Sequence, residues 1–188
     1  MKIPVFLARD REFVLSAAEN LEAYLLSSEL YGPSVYRGGL DLSSRLTPGA
    51  LLLAVKRLEG YQDPEDLPFH TALESVVQIQ SRWRAHWQKK CLREFSSRMA
   101  SWKDFLDGWL ENSHPGNEMY AVGVRQRAMI HLLEKNAGTI DDNLVNSLSD
   151  CDQRLKAATE AGGFLWESEL EFLFPQPEWW FLYRCRTR

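Results

Sequence analysis

The chain has 188 residues and a formal net charge of −4, and its 45% hydrophobic and 26% charged residues argue against a disordered chain. No run approaches the roughly 18 apolar residues of a membrane-spanning helix, and charge soon follows the short apolar N-terminus, which is unlike a secretory signal. Three cysteines without a CxxC pair disfavour disulfides and a zinc site. We therefore expect a cytoplasmic protein that makes no membrane contact.

Two helices are predicted in the first third of the chain. Apolar residues recurring every three or four positions predict a helix over residues 11–28. Residues 30–44 break this pattern with glycines, a proline and serines, so we expect a loop there. A second helix should begin at Thr47, a capping residue followed by Pro48 in the first turn, and should end at Gly60.

The longest helical pattern extends from Pro68 to Asn112, because no glycine or proline interrupts it before Gly108. About 45 residues would form a rod of roughly 67 Å, whereas a compact chain of this length has a diameter of about 40 Å. The helix must therefore bend, or one end must project and need a cover from a second copy or another protein. Its apolar seam consists of Leu92, Phe95, Met99, Trp102, Leu106 and Trp109.

Two more helices are predicted, over residues 117–135 and from Thr139 to about residue 161. The residues on the inward side of the first should be Met119, Val122, Met129, Ile130 and Leu133. Eight of the twenty residues from 164 to 183 are aromatic. We predict short helical turns there, because no other strand is available to pair with this segment.

The predicted fold is therefore all-α. We expect a single domain over residues 1–188, an irregular bundle of about five helices built on the long central helix of residues 68–112, which is straight or kinked. The aromatic-rich C-terminal tail, residues 164–188, should pack on this bundle.

The long helix contains an unusual concentration of positive charge. Residues 82–103 have seven basic side chains and one acidic side chain. On a helical wheel a basic face, a candidate partner-binding surface, lies away from the seam and consists of Arg82, His86, Lys89, Lys90 and Arg93. Such residues beside tryptophans are typical of nucleic-acid contacts, to which Arg84 could add. The pI of 5.6 favours instead a solvated face or one that meets the chain's own acidic stretches.

Two polar residues interrupt the seam when it is extended towards the N-terminus. Gln80 and Arg84 fall on the predicted buried line, and a buried guanidinium requires an acidic hydrogen-bonded partner. Glu19 and Glu22 of the first helix are the candidates. The alternative is that the seam drifts and both polar side chains are half exposed.

Motifs for chemistry are sparse. Glu111 and His114 have the ExxH spacing that helical di-iron proteins use, but this spacing occurs once, at a helix end. It makes them weak candidates for a metal site. The chain has neither a nucleotide-binding glycine motif nor residues arranged as a catalytic triad. We therefore expect no cofactor, and the sequence favours a non-enzymatic role.

The tail offers two interpretations. Trp179, Trp180 and Tyr183 could anchor a partner, because tryptophan and tyrosine dominate interface hot spots. They could equally seal the open end of the bundle, and we favour this second interpretation.

Two segments carry a resemblance. The tail, with Gly163-Phe164-Leu165-Trp166-Glu167 and Trp180-Phe181-Leu182-Tyr183, is similar to that of a family of uncharacterised bacterial helical proteins. The region from Arg82 to Leu106 resembles the same family, so that the similarity covers residues 45–183. It implies an all-helical fold and no particular activity.

These features favour a protein that works through protein–protein association, as a homo-oligomer or an adaptor. A nucleic-acid-associated protein that uses the basic face is the alternative. A small-molecule or metal-dependent enzyme comes third, because helical bundles can hold sites that only the folded chain assembles.

Overall fold

The computed structural model describes residues 3–34, 45–61, 63–112 and 117–186. The fold is all-α, as predicted. The helices in these ranges are α1 (Val5–Leu26), α2 (Pro48–Leu58), α3 (Leu67–Arg82), α4 (Arg84–Glu111), α5 (Asn117–Glu134) and α6 (Asp142–Ala158). After them come β1 (Thr159–Ala161), two 3-10 helices (Ser168–Leu173 and Trp180–Tyr183) and β2 (Arg184–Arg186). Across the described ranges, no helix has an apolar stretch that would cross a bilayer.

The predicted long helix is interrupted at Trp83. Its backbone angles there, φ −109° and ψ 35°, are not helical, and they separate α3 from α4. The Trp83 indole N–H donates to Glu22 Oε1 of α1 at 2.9 Å, which fixes the bend against the first helix. The length of the predicted helix required either a bend or a projecting end, and the chain bends.

The bend lets each half of the long helix pack against a different neighbour. α3 lies along α1, whereas α4 lies along α5 and also contacts α6. The seam of α4 faces these helices, and Phe95, Trp102 and Leu106 are fully buried. The neighbouring helices of the chain therefore cover the seam, as the bent alternative requires.

The start of α2 is tied to α4 by a buried carboxylate. Thr47 caps the helix as predicted, accepting the Ala50 N–H at 3.2 Å. Glu94, which is fully buried, accepts the Gly49 N–H at 2.7 Å through one oxygen and the Arg98 Nε–H at 2.5 Å through the other. A charged group that accepts from the first turn of a helix stabilises it by direct hydrogen bonding and through the helix dipole.

The C-terminal half of α5 buries Met129, Ile130 and Leu133 as predicted, but the buried face of its N-terminal half differs from the predicted one. Met119 and Val122 are exposed, whereas Tyr120 and Val124 are buried. The reason is a close approach at Gly123, where an added Cβ would lie 2.1 Å from Cζ of Phe105 on α4. The ring packs on this glycine, so the face of α5 that contains Gly123, Tyr120 and Val124 turns inward.

The tail folds back on the bundle. Trp179, Phe181 and Tyr183 are buried, and the Tyr120 hydroxyl donates to the Phe181 carbonyl at 2.9 Å. The prediction that no strand is available here was wrong. α6 ends at Ala158, earlier than predicted, and the next residues form β1, which pairs antiparallel with β2 in the register Thr159↔Arg186.

Candidate functional site

An apolar cleft of about 170 Å³ opens where the first turns of α1, the end of α2 and the 3-10 helix Ser168–Leu173 meet. α1 begins at Val5 and not at residue 11 as predicted, so the N-terminal apolar residues become part of the wall. Arg57, Gly60, Tyr61 and Glu169 also line it. The apolar lining consists of Pro4, Phe6, Leu7, Leu170, Phe172 and Leu173.

Large apolar side chains remain exposed at this cleft. Phe172, on its lining, is 71% exposed, and Val5, between two lining residues, is 90% exposed. Gly60 accommodates the Phe172 ring, since a Cβ built at position 60 would lie 2.5 Å from Phe172 Cζ. An exposed aromatic side chain on the lining of an apolar concavity is typical of binding sites.

A buried ion-pair network fixes the floor of the cleft. Arg57 donates from Nε to Asp10 Oδ2 at 2.7 Å and from Nη1 to Glu167 Oε2 at 3.3 Å. Its guanidinium also lies 5.7 Å from the centroid of the Trp166 ring. Burial raises the pKa of Asp10, although the neighbouring Arg57 opposes this shift. The network joins α1, α2 and the tail around the cleft.

A second network holds Tyr61, which lines the cleft. Arg11 donates two hydrogen bonds to the Asp66 carboxylate, both at 2.6 Å. Asp66 also accepts the Tyr61 hydroxyl at 3.2 Å and the Phe69 N–H at the start of α3 at 3.4 Å. These bonds, with Arg11 the largest contribution, lower the pKa of Asp66 to about 2.

The residues of the predicted basic face differ in burial and in their hydrogen-bond partners. Lys90 is buried beside the Tyr24 ring and donates to the Glu29 carbonyl, while Arg93 donates to the Ser28 carbonyl at 2.8 Å. Both therefore bind backbone carbonyls just after α1. Nη1 of Arg82 lies 3.6 Å from Oε1 of Glu22, and the His86 and Lys89 side chains are exposed. Nucleic-acid binding by this face stays a prediction.

The predicted buried pair is not present. Gln80 is half-buried and Arg84 is exposed, because the seam drifts where the helix bends at Trp83. Glu22, a proposed partner of Arg84, instead accepts from Trp83 and pairs with Arg82.

The predicted aromatic anchor is mostly internal. Trp179 packs edge-on against Phe174, and the Tyr183 hydroxyl donates to the Phe174 carbonyl at 2.8 Å. Trp180 is half-buried below Lys156, whose Nζ lies 4.4 Å from the ring centroid. Trp179 and Tyr183 are thus unavailable to a partner, and their burial agrees with the sealing role that we favoured.

The structure describes only one of the two weak metal candidates. Glu111 is exposed at the last residue of α4, and His114 lies outside the described residues. In the part of the chain that the structure describes, no group of three His, Cys, Asp or Glu residues could hold a metal ion.

Sequence reasoning missed the cleft and the buried charges. The sequence analysis singled out neither Arg57 nor Glu94, and it predicted only that the tail packs on the bundle. The Glu94–Arg98 spacing of four was the one signal of a local ion pair. The cleft had no sequence signal, because its walls come from three distant segments.

Searches against protein-family models, curated proteins and solved structures find no match to this chain. The resemblance to a bacterial helical family therefore receives no support from them. The function has to be argued from the cleft itself.

Proposed function

We propose that the protein acts through association with another protein, and that the cleft beside Phe172 is its docking surface. The observation that carries this proposal is the exposure of Phe172 on the lining of a concavity, while the seam of α4 is buried. The exposed apolar surface at this cleft is suited to receive a side chain of a partner protein.

The cleft is also suited to binding because its walls are held in place. Arg57 and Arg11 are each tied to carboxylates on other elements, so the walls are positioned before a partner arrives. A preformed site loses less conformational entropy on binding than a mobile one. The cytoplasm is the compartment that we propose, supported by three free cysteines in the described chain.

Selection from a random peptide library displayed on phage tests this proposal. Clones enriched on the wild-type protein should bind Phe172→Ser at least about tenfold more weakly, the loss typical of one interface aromatic. Val122→Ser is the matched control, because Val122 on α5 is 72% exposed and is not on the cleft lining.

Equal binding of the enriched clones to all three proteins would overturn the cleft as the docking surface. Sedimentation of the wild-type protein over a range of concentrations completes the test. A dimer that Phe172→Ser abolishes would replace the separate partner with a second copy of the chain.

A further inference from the structure

The chemistry of the partner can be inferred from the charge around the cleft, given the proposed association on which this inference rests. We propose that the cleft takes one bulky apolar side chain from a segment of another protein that carries lysine or arginine on either side of it.

The three segments are strongly acidic. Residues 4–12, 56–66 and 167–173 together contain nine aspartates and glutamates but four lysines and arginines. The chain as a whole has 26 acidic and 22 basic residues, so its negative charge is concentrated at this end. Exposed charge of one sign attracts a partner of the opposite sign and repels others.

The positive charge on the cleft lining is already neutralised. Arg57, which is buried, pairs with both Asp10 and Glu167, and Arg125 also acts electrostatically on these two carboxylates, so the guanidinium on the lining already has its acidic partners. Arg11 likewise lies between Asp66 and Glu12. These arginines are therefore not a site for an anionic partner.

Two exposed carboxylates stand beside the apolar opening. Glu169 lines the cleft, and Glu171 directly precedes Phe172 on the same 3-10 helix. Both are exposed, so a cation can approach them without either carboxylate being stripped of its surrounding water. A lysine or arginine next to the inserted side chain is within reach of this helix.

The volume of the cleft limits the size of the side chain that can enter it. An apolar cavity of about 150 Å³ holds a benzene ring, so a cleft of about 170 Å³ takes one side chain of the size of phenylalanine or leucine. A second copy of this chain is disfavoured, because a symmetric contact would place the same acidic rim against itself.

Three labelled peptides test this inference. They share a central phenylalanine in a serine–glycine frame and carry two lysines, two serines or two glutamates on each side of it. Fluorescence anisotropy measures their binding to the wild-type protein at about 20 mM and about 200 mM salt, conditions that differ strongly in charge screening. We expect the lysine peptide to bind roughly tenfold more tightly than the serine peptide at low salt, from a few rim contacts.

The double variant Glu169→Gln/Glu171→Gln should remove most of this tenfold preference and leave the serine peptide unchanged. Phe172→Ser should weaken both peptides. Circular dichroism checks that each variant is folded.

Failure of this inference is distinguishable from failure of the proposed function. Equal binding of lysine and serine peptides, both weakened by Phe172→Ser, would overturn the cationic partner and leave the docking cleft standing. Tighter binding of the glutamate peptide would do the same. Peptides that bind no more weakly to Phe172→Ser than to the wild-type protein would overturn the docking cleft itself.

Discussion

The seam of α4 and the cleft at the start of α1 are both apolar surfaces, but the chain treats them differently. Along the seam, Trp102 and Phe95 are fully buried under α5 and α6, and no partner is required. At the cleft, Phe172 remains in solvent, and ion pairs of Arg57 and Arg11 connect the surrounding elements. The contrast shows that the most regular apolar pattern in the sequence marks the core, whereas the exposed surface comes from short segments with no periodicity.

The largest expected loss of stability comes from a substitution in the seam of α4. Trp102→Ala should lower the free energy of unfolding by about 3–5 kcal/mol, because it leaves a cavity in a packed interior. Trp102→Phe should cost clearly less, since the Trp102 indole N–H has no hydrogen-bond partner in the described part of the chain and none would be lost. Urea unfolding followed by circular dichroism measures both variants. A cost below about 1 kcal/mol for Trp102→Ala would contradict the buried seam.

Acid should have an intermediate effect on the free energy of unfolding. The elements around the cleft are held by ion pairs, which depend on pH, whereas the seam is held by apolar packing. The pKa of Asp66 is lowered to about 2, below its usual 3.8, so its ion pair stabilises the fold above pH 3.8 and is lost as the pH falls through 2. The contribution should be on the order of 1 kcal/mol, since solvent screens part of the pair.

Thermal unfolding of the wild-type protein and Asp66→Asn, measured from about pH 6 to about pH 2, tests this. The two midpoints should converge as the pH falls. Curves that stay parallel over the whole range would show that the Arg11–Asp66 pair does not contribute to stability.

The smallest effect is expected at the cleft. Phe172→Ser should change the free energy of unfolding by no more than about 0.5 kcal/mol, because the ring is 71% exposed and loses few packing contacts. The same urea experiment applies. A loss of more than about 1.5 kcal/mol would mean that Phe172 belongs to the core, and the comparison between seam and cleft would no longer hold.

The sequence predicted the elements that depend on local signals. Thr47 and Pro48 marked the start of α2, and the period of three and four identified the seam of α4. The bend at Trp83 had no such signal, because it is fixed by a hydrogen bond to Glu22, 61 residues earlier in the chain. The exposure of Val122 was missed for a similar reason, since the ring of Phe105 on another helix determines which side of α5 turns inward. The cleft could not be predicted at all, because its lining combines side chains from both termini and from α2.

Glu94 also constrains the order in which the newly synthesised chain can fold. The carboxylate that accepts the Gly49 N–H lies 45 residues further along the chain, so it leaves the ribosome roughly 2–9 seconds after α2 at ordinary rates of synthesis. Until then the first turn of α2 has the Thr47 cap but lacks its charged acceptor. α2 therefore reaches its final stability only after α4 has been synthesised.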